Sequence, residues 1–421
     1  MDIISQYGTI FIILAVIFGF YMTWGIGAND VANVMGTSVG SGAIAVRTAI
    51  IIAAVFEFAG AALAGGHVTE TIRKGIIDTT SIAGNPEILI YGMLGALFGA
   101  ATWLFIASYR GWPVSTTHAI VGAVVGFAMV GIGVDAVNWG KIGQIVMSWI
   151  VSPAIGGVVA FILMVSIRQL IFNQDQPFEK AKKWGPVYIF LVGFIISLVT
   201  AFKGLKHLKL DLSVEQSFLF AFVFGVILAF IGWLMIRRVK VDKKADKDYH
   251  FASVEKVFTP MMLFTAAAMA FAHGSNDVAN GVGPIAAVVG LVKSGGEVAQ
   301  TTELPIWILL LGGFGILVGL ATYGYKVMRT IGTKITELTP TRGYCATLAA
   351  ASTVVIASRT GLPVSTTHIA VGAVIGVGMA RGVGAIDLRV VTGIVVSWLV
   401  TLPIGGILAA IFFFALMGIF S

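Results

Sequence analysis

Apolar residues run along this chain in blocks of about twenty, separated by short polar connections. A block of that length is enough to carry a helix across a bilayer. Clear examples lie at 88–107, 142–167, 187–202 and 217–236, and another at 48–66 carries Glu57 near its middle. The pattern predicts roughly ten to twelve spans. Two segments interrupt it from inside. Asp30, in Gly-Ala-Asn-Asp-Val-Ala-Asn-Val at 27–34, is the only charged residue between Gly8 and Val46. Asp277, in Gly-Ser-Asn-Asp-Val-Ala-Asn at 274–280, has no other Lys, Arg, Asp or Glu near it between Val257 and Val292. An ionised side chain in hydrocarbon costs several kcal/mol, so a lone acid at that depth is a site candidate.

These segments belong to a repeat. Asn276-Asp277 answers Asn29-Asp30 at an offset of 247, Pro363-Val-Ser-Thr-Thr-His368 answers Pro113-Val-Ser-Thr-Thr-His118 at 250, and Ser397-Trp398 answers Ser148-Trp149 at 249. Landmarks kept in one order at nearly constant spacing indicate internal duplication. The chain divides into a first repeat at 1–170, two connecting spans with a charged linker at 171–256, and a second repeat at 257–421. The linker Arg237–Lys256 mixes charge signs and reads as solvated, without a site.

Basic residues orient the chain. Arg168, Lys180, Lys182 and Lys183 precede the middle pair of spans, and Arg237, Arg238, Lys240, Lys243, Lys244, Lys247 and Lys256 follow it, so eleven lie on one side. The loop between those spans offers Lys203, Lys206 and Lys209. The positive-inside rule makes the richer side cytoplasmic. Five crossings per repeat would then give the repeats opposite topology and place both termini outside the cytoplasm. The fold class expected is an all-α polytopic membrane protein of about 12 transmembrane helices, with two inverted-topology repeats and broken or re-entrant helices around a midplane site.

Composition agrees. Only 11% of the residues are charged and 57% are apolar, whereas soluble domains average about 25% charged. The 52 glycines suit close helix packing in lipid. A net charge of +7 concentrated in connections speaks for membrane orientation and against nucleic acid. A single cysteine, Cys345, excludes an internal disulfide and a thiolate metal cluster. The N-terminus lacks the basic start of a cleavable signal, so residue 1 is expected to begin the mature chain.

Pro-Val-Ser-Thr-Thr-His has the chemistry of a helix start. Proline suits a first turn, nearby hydroxyls cap unpaired N–H groups, and an apolar helix follows both copies, at 119–130 and 369–379. A helix starting inside the membrane offers N–H groups and hydroxyls to an anion. The alternative is that the hydroxyls only satisfy backbone where a helix breaks. Two copies brought together favour a tetrahedral oxyanion between them, held by Ser115, Thr116, Ser365 and Thr366. In the Asn-Asp stretches, Asn29 and Asn276 are expected to cap a second helix break. Asp30 and Asp277 then lie in its first turn, with Asn33 and Asn280 on the same face. The sixteen residues between Asp30 and Arg47 are short for a span, which favours a break at depth over a surface turn.

Two carboxylates beside an oxyanion repel it, by roughly 4 kcal/mol per pair at about 4 Å and an effective dielectric near 20. No Lys or Arg lies in either motif, so the compensating charge is expected to be a mobile cation. Carboxylate, amide, hydroxyl and carbonyl oxygens suit a hard ion such as Na⁺. The expected ligands are Asn29, Asp30, Asn33, Thr117, Asn276, Asp277, Asn280 and Thr367. Cation and anion then require each other, which is the physical basis of symport. Asp30 and Asp277 also stand ready to accept a hydrogen bond from a protonated oxyanion, which monohydrogen phosphate supplies and sulfate largely does not. Glu57 is either an extra ion or proton site or a carboxyl bonded to a neighbouring helix. His118 and His368 either titrate in transport or pack helices; Arg342 and Arg359 read as interfacial anchors first and anion-attracting residues second.

With GANDVANVMGTSVGSGA, GSNDVANGVGP and two PVSTTH copies, the chain resembles the inorganic phosphate transporter (PiT) family. Phe56-Glu57, Thr336-Glu337-Leu338-Thr339-Pro340 and Gly361-Leu362-Pro363 fit the likeness, which covers both repeats. The resemblance implies cation-coupled phosphate uptake across the plasma membrane, with Asp30, Asp277 and the Ser-Thr-Thr residues serving substrate and ions. It also implies a homodimer. Thr347 stands where many members carry a glutamate, which leaves Glu57 without the matching acid. The short middle region fits a compact prokaryotic member.

The function expected is import of inorganic phosphate by a secondary symporter driven by Na⁺, working by alternating access in the lipid bilayer of the plasma (inner) membrane. No cofactor is expected beyond the coupling ion. Proton coupling, with phosphate or a metal–phosphate complex as cargo, is kept open by Glu57 and the histidines. A channel would need an open polar pore, and a receptor a soluble recognition domain that no segment is large enough to supply. An enzyme is not expected, because Ser-Thr-Thr-His adjacency alone makes no nucleophile–base pair.

Overall fold

The computed structural model describes residues 3–78, 85–203, 212–242, 246, 251–297, 304–331, 337–382 and 386–420. Lys206, Lys209, Lys243, Lys244, Lys247 and Thr336, used above, lie outside them. Regular structure among the described residues is helical, apart from one isolated bridge between Ile77 and Val137. The first half supplies α1 (Ile3–Gly40), α2 (Val46–Ala64), a short α3 (Gly66–Glu70), α4 (Pro86–Tyr109), α5 (Thr116–Gly131) and α6 (Trp139–Ile167). A middle pair follows, α7 (Pro177–Lys203) and α8 (Val214–Ile236). The second half supplies α9 (Ala252–Lys293), α10 (Ile306–Ile331), α11 (Pro340–Arg359), α12 (Thr366–Arg381) and α13 (Leu388–Phe420).

Nine described helices are long and apolar enough to cross a bilayer: α1, α2, α4, α6 to α10 and α13. The 16-residue α5 and α12 are too short, and α11 is rich in buried Ala, Ser and Thr. With those three the long helices number twelve among the described residues. Phe218, Leu219, Phe222, Val226 and Phe230 of α8 face outward. Such a continuous apolar face belongs against lipid, and the chain is a multi-pass membrane protein.

The packing exchanges the halves. α1 packs on α10 and α9 on α2; α5 packs on α13 and α12 on α6; α4 packs on α13 and α11 on α6. Each contact has a partner with the halves swapped, as a twofold relation requires. Pro153 in α6 and Pro403 in α13, 250 residues apart, keep the same register.

One local expectation fails. The Asn-Asp stretches do not break their helices: α1 runs unbroken for 38 residues and α9 for 42. At 1.5 Å per residue, α1 is about 57 Å long, far beyond the hydrocarbon thickness. Asp30 thus reaches the interior well along a continuous helix, and the short distance to Arg47 reports the end of α1. Glycine lets both helices approach their neighbours closely. A Cβ built on Gly27 would stand 1.9 Å from the Ile316 carbonyl oxygen of α10, and one on Gly274 would stand 2.1 Å from that of Glu57 in α2.

Candidate functional site

The two Ser-Thr-Thr elements begin helices inside the protein, as expected. Gly111 and Gly361, at φ of 68° and 73°, turn the chain at the ends of α4 and α11. Extended segments then lead to Ser115 and Ser365, which cap α5 and α12. Ser115 Oγ accepts from His118 N at 3.2 Å and Ser365 Oγ from His368 N at 3.3 Å. Pro113 and Pro363 stand two residues ahead of the caps rather than in the first turn. The cap takes the N–H of the third helical residue, so the first two N–H groups of each helix, those of Thr116 and Thr117 and of Thr366 and Thr367, have no intrahelical partner.

The acids meet these starts. Thr116 Oγ1 donates to Asp30 Oδ2 at 2.6 Å, and Thr366 Oγ1 to Asp277 Oδ2 at 2.7 Å. Each acid also meets the opposite half: Thr367 Oγ1 is 3.3 Å from Asp30 Oδ1, and Thr117 Oγ1 is 3.5 Å from Asp277 Oδ1. Asn33 Nδ2 donates to Asp30 Oδ1 and to Thr367 Oγ1, both at 2.8 Å. Asn280 Nδ2 faces Thr117 Oγ1, Thr116 Oγ1 and Asp277 Oδ1 at 3.3, 3.4 and 3.5 Å. The amide oxygens of Asn33 and Asn280 are buried with no hydrogen-bond partner among the described residues. All these residues are buried, and both acids are 0% exposed.

Asn29 and Asn276 turn toward the hairpins instead. Asn29 bonds Ser108, Trp112 and Val114. Asn276 lies 2.9 Å from Ser358 Oγ, and its nitrogen reaches Val364 O and Asp277 Oδ1 at 3.1 Å in the better-paired orientation of its amide. Of the candidate ion ligands, these two are the ones not gathered around the acids with their oxygens free.

His273 was missed by the sequence reading. Its Nε2 lies 2.9 Å from Asp277 Oδ2 and 3.6 Å from Asp30 Oδ2, and its Nδ1 lies 3.2 Å from Glu57 Oε1. One ligand atom from each of Asp30, His273 and Asp277 falls within 4.8 Å of the others. His273 lies one residue ahead of the repeated motif, which begins at Gly274, and it is neither Lys nor Arg. A signal was present: 247 residues earlier the aligned position is Ile26. Glu57 therefore belongs to the site through His273. Its structural counterpart is Ile316, which opposes Gly27 as Glu57 opposes Gly274. Thr347 is not that counterpart, for it bonds Thr37 at 2.7 Å.

Behind the helix starts, four rings cluster. His118 lies on Trp149 with centroids 3.8 Å apart, His368 on Trp398 at 3.5 Å, and the two imidazoles meet edge to face at 4.5 Å. His118 Nδ1 bonds Trp398 O and His368 Nδ1 bonds Trp149 O, at 3.1 and 3.2 Å. The stacks lie within each half, while the imidazole contact and the two hydrogen bonds pack one half on the other. Arg342 pairs with Glu337, and Arg359 stacks over Phe202. Cys345 is a buried free thiol.

Comparison with known proteins adds to this geometry. The sequence profile described as the Phosphate transporter family matches residues 26–409. A Haemophilus influenzae protein named "Putative phosphate permease" is 50% identical over 421 residues, 100% of each chain. A relative of similar name from Pyrococcus abyssi is 46% identical over 405 residues, 96% of this chain and 97% of its own. A solved structure described as "The sodium-dependent phosphate transporter" matches with a TM-score of 0.89 and 41% identity, over 97% of this chain and 99% of that one.

Proposed function

The chain belongs to the phosphate transporter family, and from that premise we propose that it imports inorganic phosphate across the plasma membrane as a symporter with Na⁺. The observation carrying the cation is the pair of orphaned amide oxygens, Asn33 Oδ1 and Asn280 Oδ1, beside Asp30 and Asp277. A buried acceptor without a donor is costly, and a small hard cation satisfies it together with the carboxylate and threonine oxygens. The set is all oxygen, which suits Na⁺.

Phosphate fits between the α5 and α12 N-termini. There the free N–H groups and the helix dipoles favour an anion. Ser115 and Ser365 accept the capping N–H and keep their own O–H to donate to the anion. Thr116 and Thr366 have spent their protons on the acids, so they offer backbone N–H groups and hydroxyl lone pairs. A lone pair or an acid oxygen takes the P–OH of monohydrogen phosphate. Thr117 and Thr367 complete the ion shells from the opposite halves. Exchange of the two halves about their shared twofold relation then exposes the site to each side in turn. The eleven basic residues support a cytoplasmic position for the richer side of the middle pair, and with it termini outside the cytoplasm.

A second reading, proton coupling, is favoured by His273. Both ring nitrogens face carboxylate oxygens within hydrogen-bond reach, and a neutral imidazole has one N–H. Filling both contacts takes a further proton on the ring or on an acid. Radiolabelled phosphate uptake into proteoliposomes, with Na⁺ and pH gradients imposed separately, decides. Uptake driven by the Na⁺ gradient at equal pH supports Na⁺ symport; uptake driven by the pH gradient without Na⁺ replaces it with the second reading.

A further inference from the structure

The side-chain amide of Asn29 matches the backbone on either side of Pro113. Its Nδ2 donates to Trp112 O at 3.0 Å, and its Oδ1 accepts from Val114 N at 3.1 Å. Nδ2 also donates to Ser108 Oγ at 3.1 Å. The carbonyl before a residue and the N–H after it are what a neighbouring strand would pair with, and the amide supplies both in their place. Pro113 brings no N–H of its own, and Trp112 N is taken by Ala107 O at 2.8 Å. Asn29 thus holds the extended segment that ends at the Ser115 cap. It does so from α1, one residue before Asp30. An amide has two N–H donors and one oxygen acceptor; here both donors and the oxygen are engaged.

We infer that Asn29 is a positioning residue, setting the height of the α5 N-terminus against Asp30, and that it is not a cation ligand. The inference rests on the anion-binding reading of that terminus. Asn276 divides its grip: one N–H goes to Asp277 Oδ1 and the other to Val364 O, its oxygen takes the Ser358 hydroxyl, and the Val364 N–H is not among its partners. Phosphate binding should therefore depend more steeply on Asn29 than on Asn276.

Asn29→Asp separates the two roles. A carboxylate of the same size is a better Na⁺ ligand, but it has no donors for Trp112 O and Ser108 Oγ. The measurements are the phosphate KM at saturating Na⁺ and the half-saturating Na⁺ concentration at saturating phosphate, both in proteoliposomes. Expected is a rise in phosphate KM of roughly tenfold or more in Asn29→Asp and Asn29→Ala, with the Na⁺ dependence and its Hill coefficient unchanged. An unchanged phosphate KM in Asn29→Asp, or a shifted Na⁺ dependence at wild-type phosphate KM, overturns the inference. If neither variant folds, Ser108→Ala removes one of the three bonds and leaves Asn29 in place. A rise of about threefold in phosphate KM supports positioning, and no change overturns it. Loss of saturable phosphate uptake in the unaltered protein would instead strike the reading of the whole site.

Discussion

On the α1 side of the cradle, Asp30 takes hydrogen bonds of 2.6 and 2.8 Å from Thr116 and Asn33, and the positions that answer His273 and Glu57 are the apolar Ile26 and Ile316. On the α9 side, Asp277 keeps the 2.7 Å bond from Thr366, but Asn280 stands 3.5 Å away and His273 has come in at 2.9 Å. Where the first half has two isoleucines, the second has His273 and Glu57. The twofold pattern builds the anion seat and two oxygen-lined flanks. The departure from it adds one acid and one imidazole, and the imidazole sits unequally between the flanks, 2.9 Å from Asp277 and 3.6 Å from Asp30. Duplication thus accounts for the proposed substrate site, and two substitutions within it make the two flanks electrostatically unlike.

The largest effect tests the shared part. Asp30→Asn and Asp277→Asn should each abolish coupled uptake, a loss of at least about a hundredfold. A unit charge about 4 Å from a cation is worth about 4 kcal/mol at an effective dielectric near 20. Proteoliposome uptake with an Na⁺ gradient measures it, and normal Na⁺-dependent transport in either variant would remove that acid from the ion site.

The next effect tests the departure. Alanine at Gly27 or Gly274 puts a Cβ against a backbone carbonyl, at 1.9 or 2.1 Å, so in either case a helix must move. Both should lose about 1–3 kcal/mol of stability, as overpacking does, read from thermal unfolding in detergent. Gly274→Ala moves Glu57 relative to His273, whereas Gly27→Ala moves Ile316 relative to Ile26. Uptake should therefore fall several-fold further in Gly274→Ala at matched stability. Equal losses would mean that the Glu57–His273 contact contributes only packing.

Much of this was legible in the sequence because the membrane forces it. Lone acids at depth are expensive, so Asp30 and Asp277 stood out, and a Ser-Thr-Thr run ahead of an apolar stretch announced a hydroxyl-capped helix start, though not which hydroxyl caps it. The halves announced themselves through constant offsets. What stayed hidden is three-dimensional. The continuity of α1 and α9 could not be read, because a helix much longer than the bilayer is thick leaves the same short apolar interval before Arg47 as a broken one. The role of Asn29 depends on where Trp112 and Val114 sit, 83 and 85 residues away. His273 was readable only by asking which aligned positions differ in charge, since its importance comes from Glu57 on another helix.

A smaller effect separates the two asparagines that flank the acids. Asn33 makes two bonds of 2.8 Å, whereas those of Asn280 run from 3.3 to 3.5 Å. Both alanine variants should raise the half-saturating Na⁺ concentration, since each loses an orphaned oxygen. Asn33→Ala should also lose about 1.5–3 kcal/mol of stability, the usual worth of a hydrogen bond to a charged group. Asn280→Ala should lose less. Equal shifts in unfolding temperature would show that the two flanks are held alike.

The smallest effect lies behind the cradle, where the ring cluster is also unequal. Trp149 Nε1 donates to Pro363 O at 3.1 Å, across the halves, while Trp398 Nε1 is buried without a partner among the described residues. Phenylalanine removes the N–H and, at both positions alike, the part of the indole that a phenyl ring lacks. Trp149→Phe should therefore cost at least about 1 kcal/mol more than Trp398→Phe, the net worth of one hydrogen bond, because only the first loses a paired donor. Unfolding temperatures in one detergent compare them directly. If both variants lose the same amount, stacking on His118 and His368 is all that either indole provides, and the grip on Pro363 contributes nothing to how the halves are held.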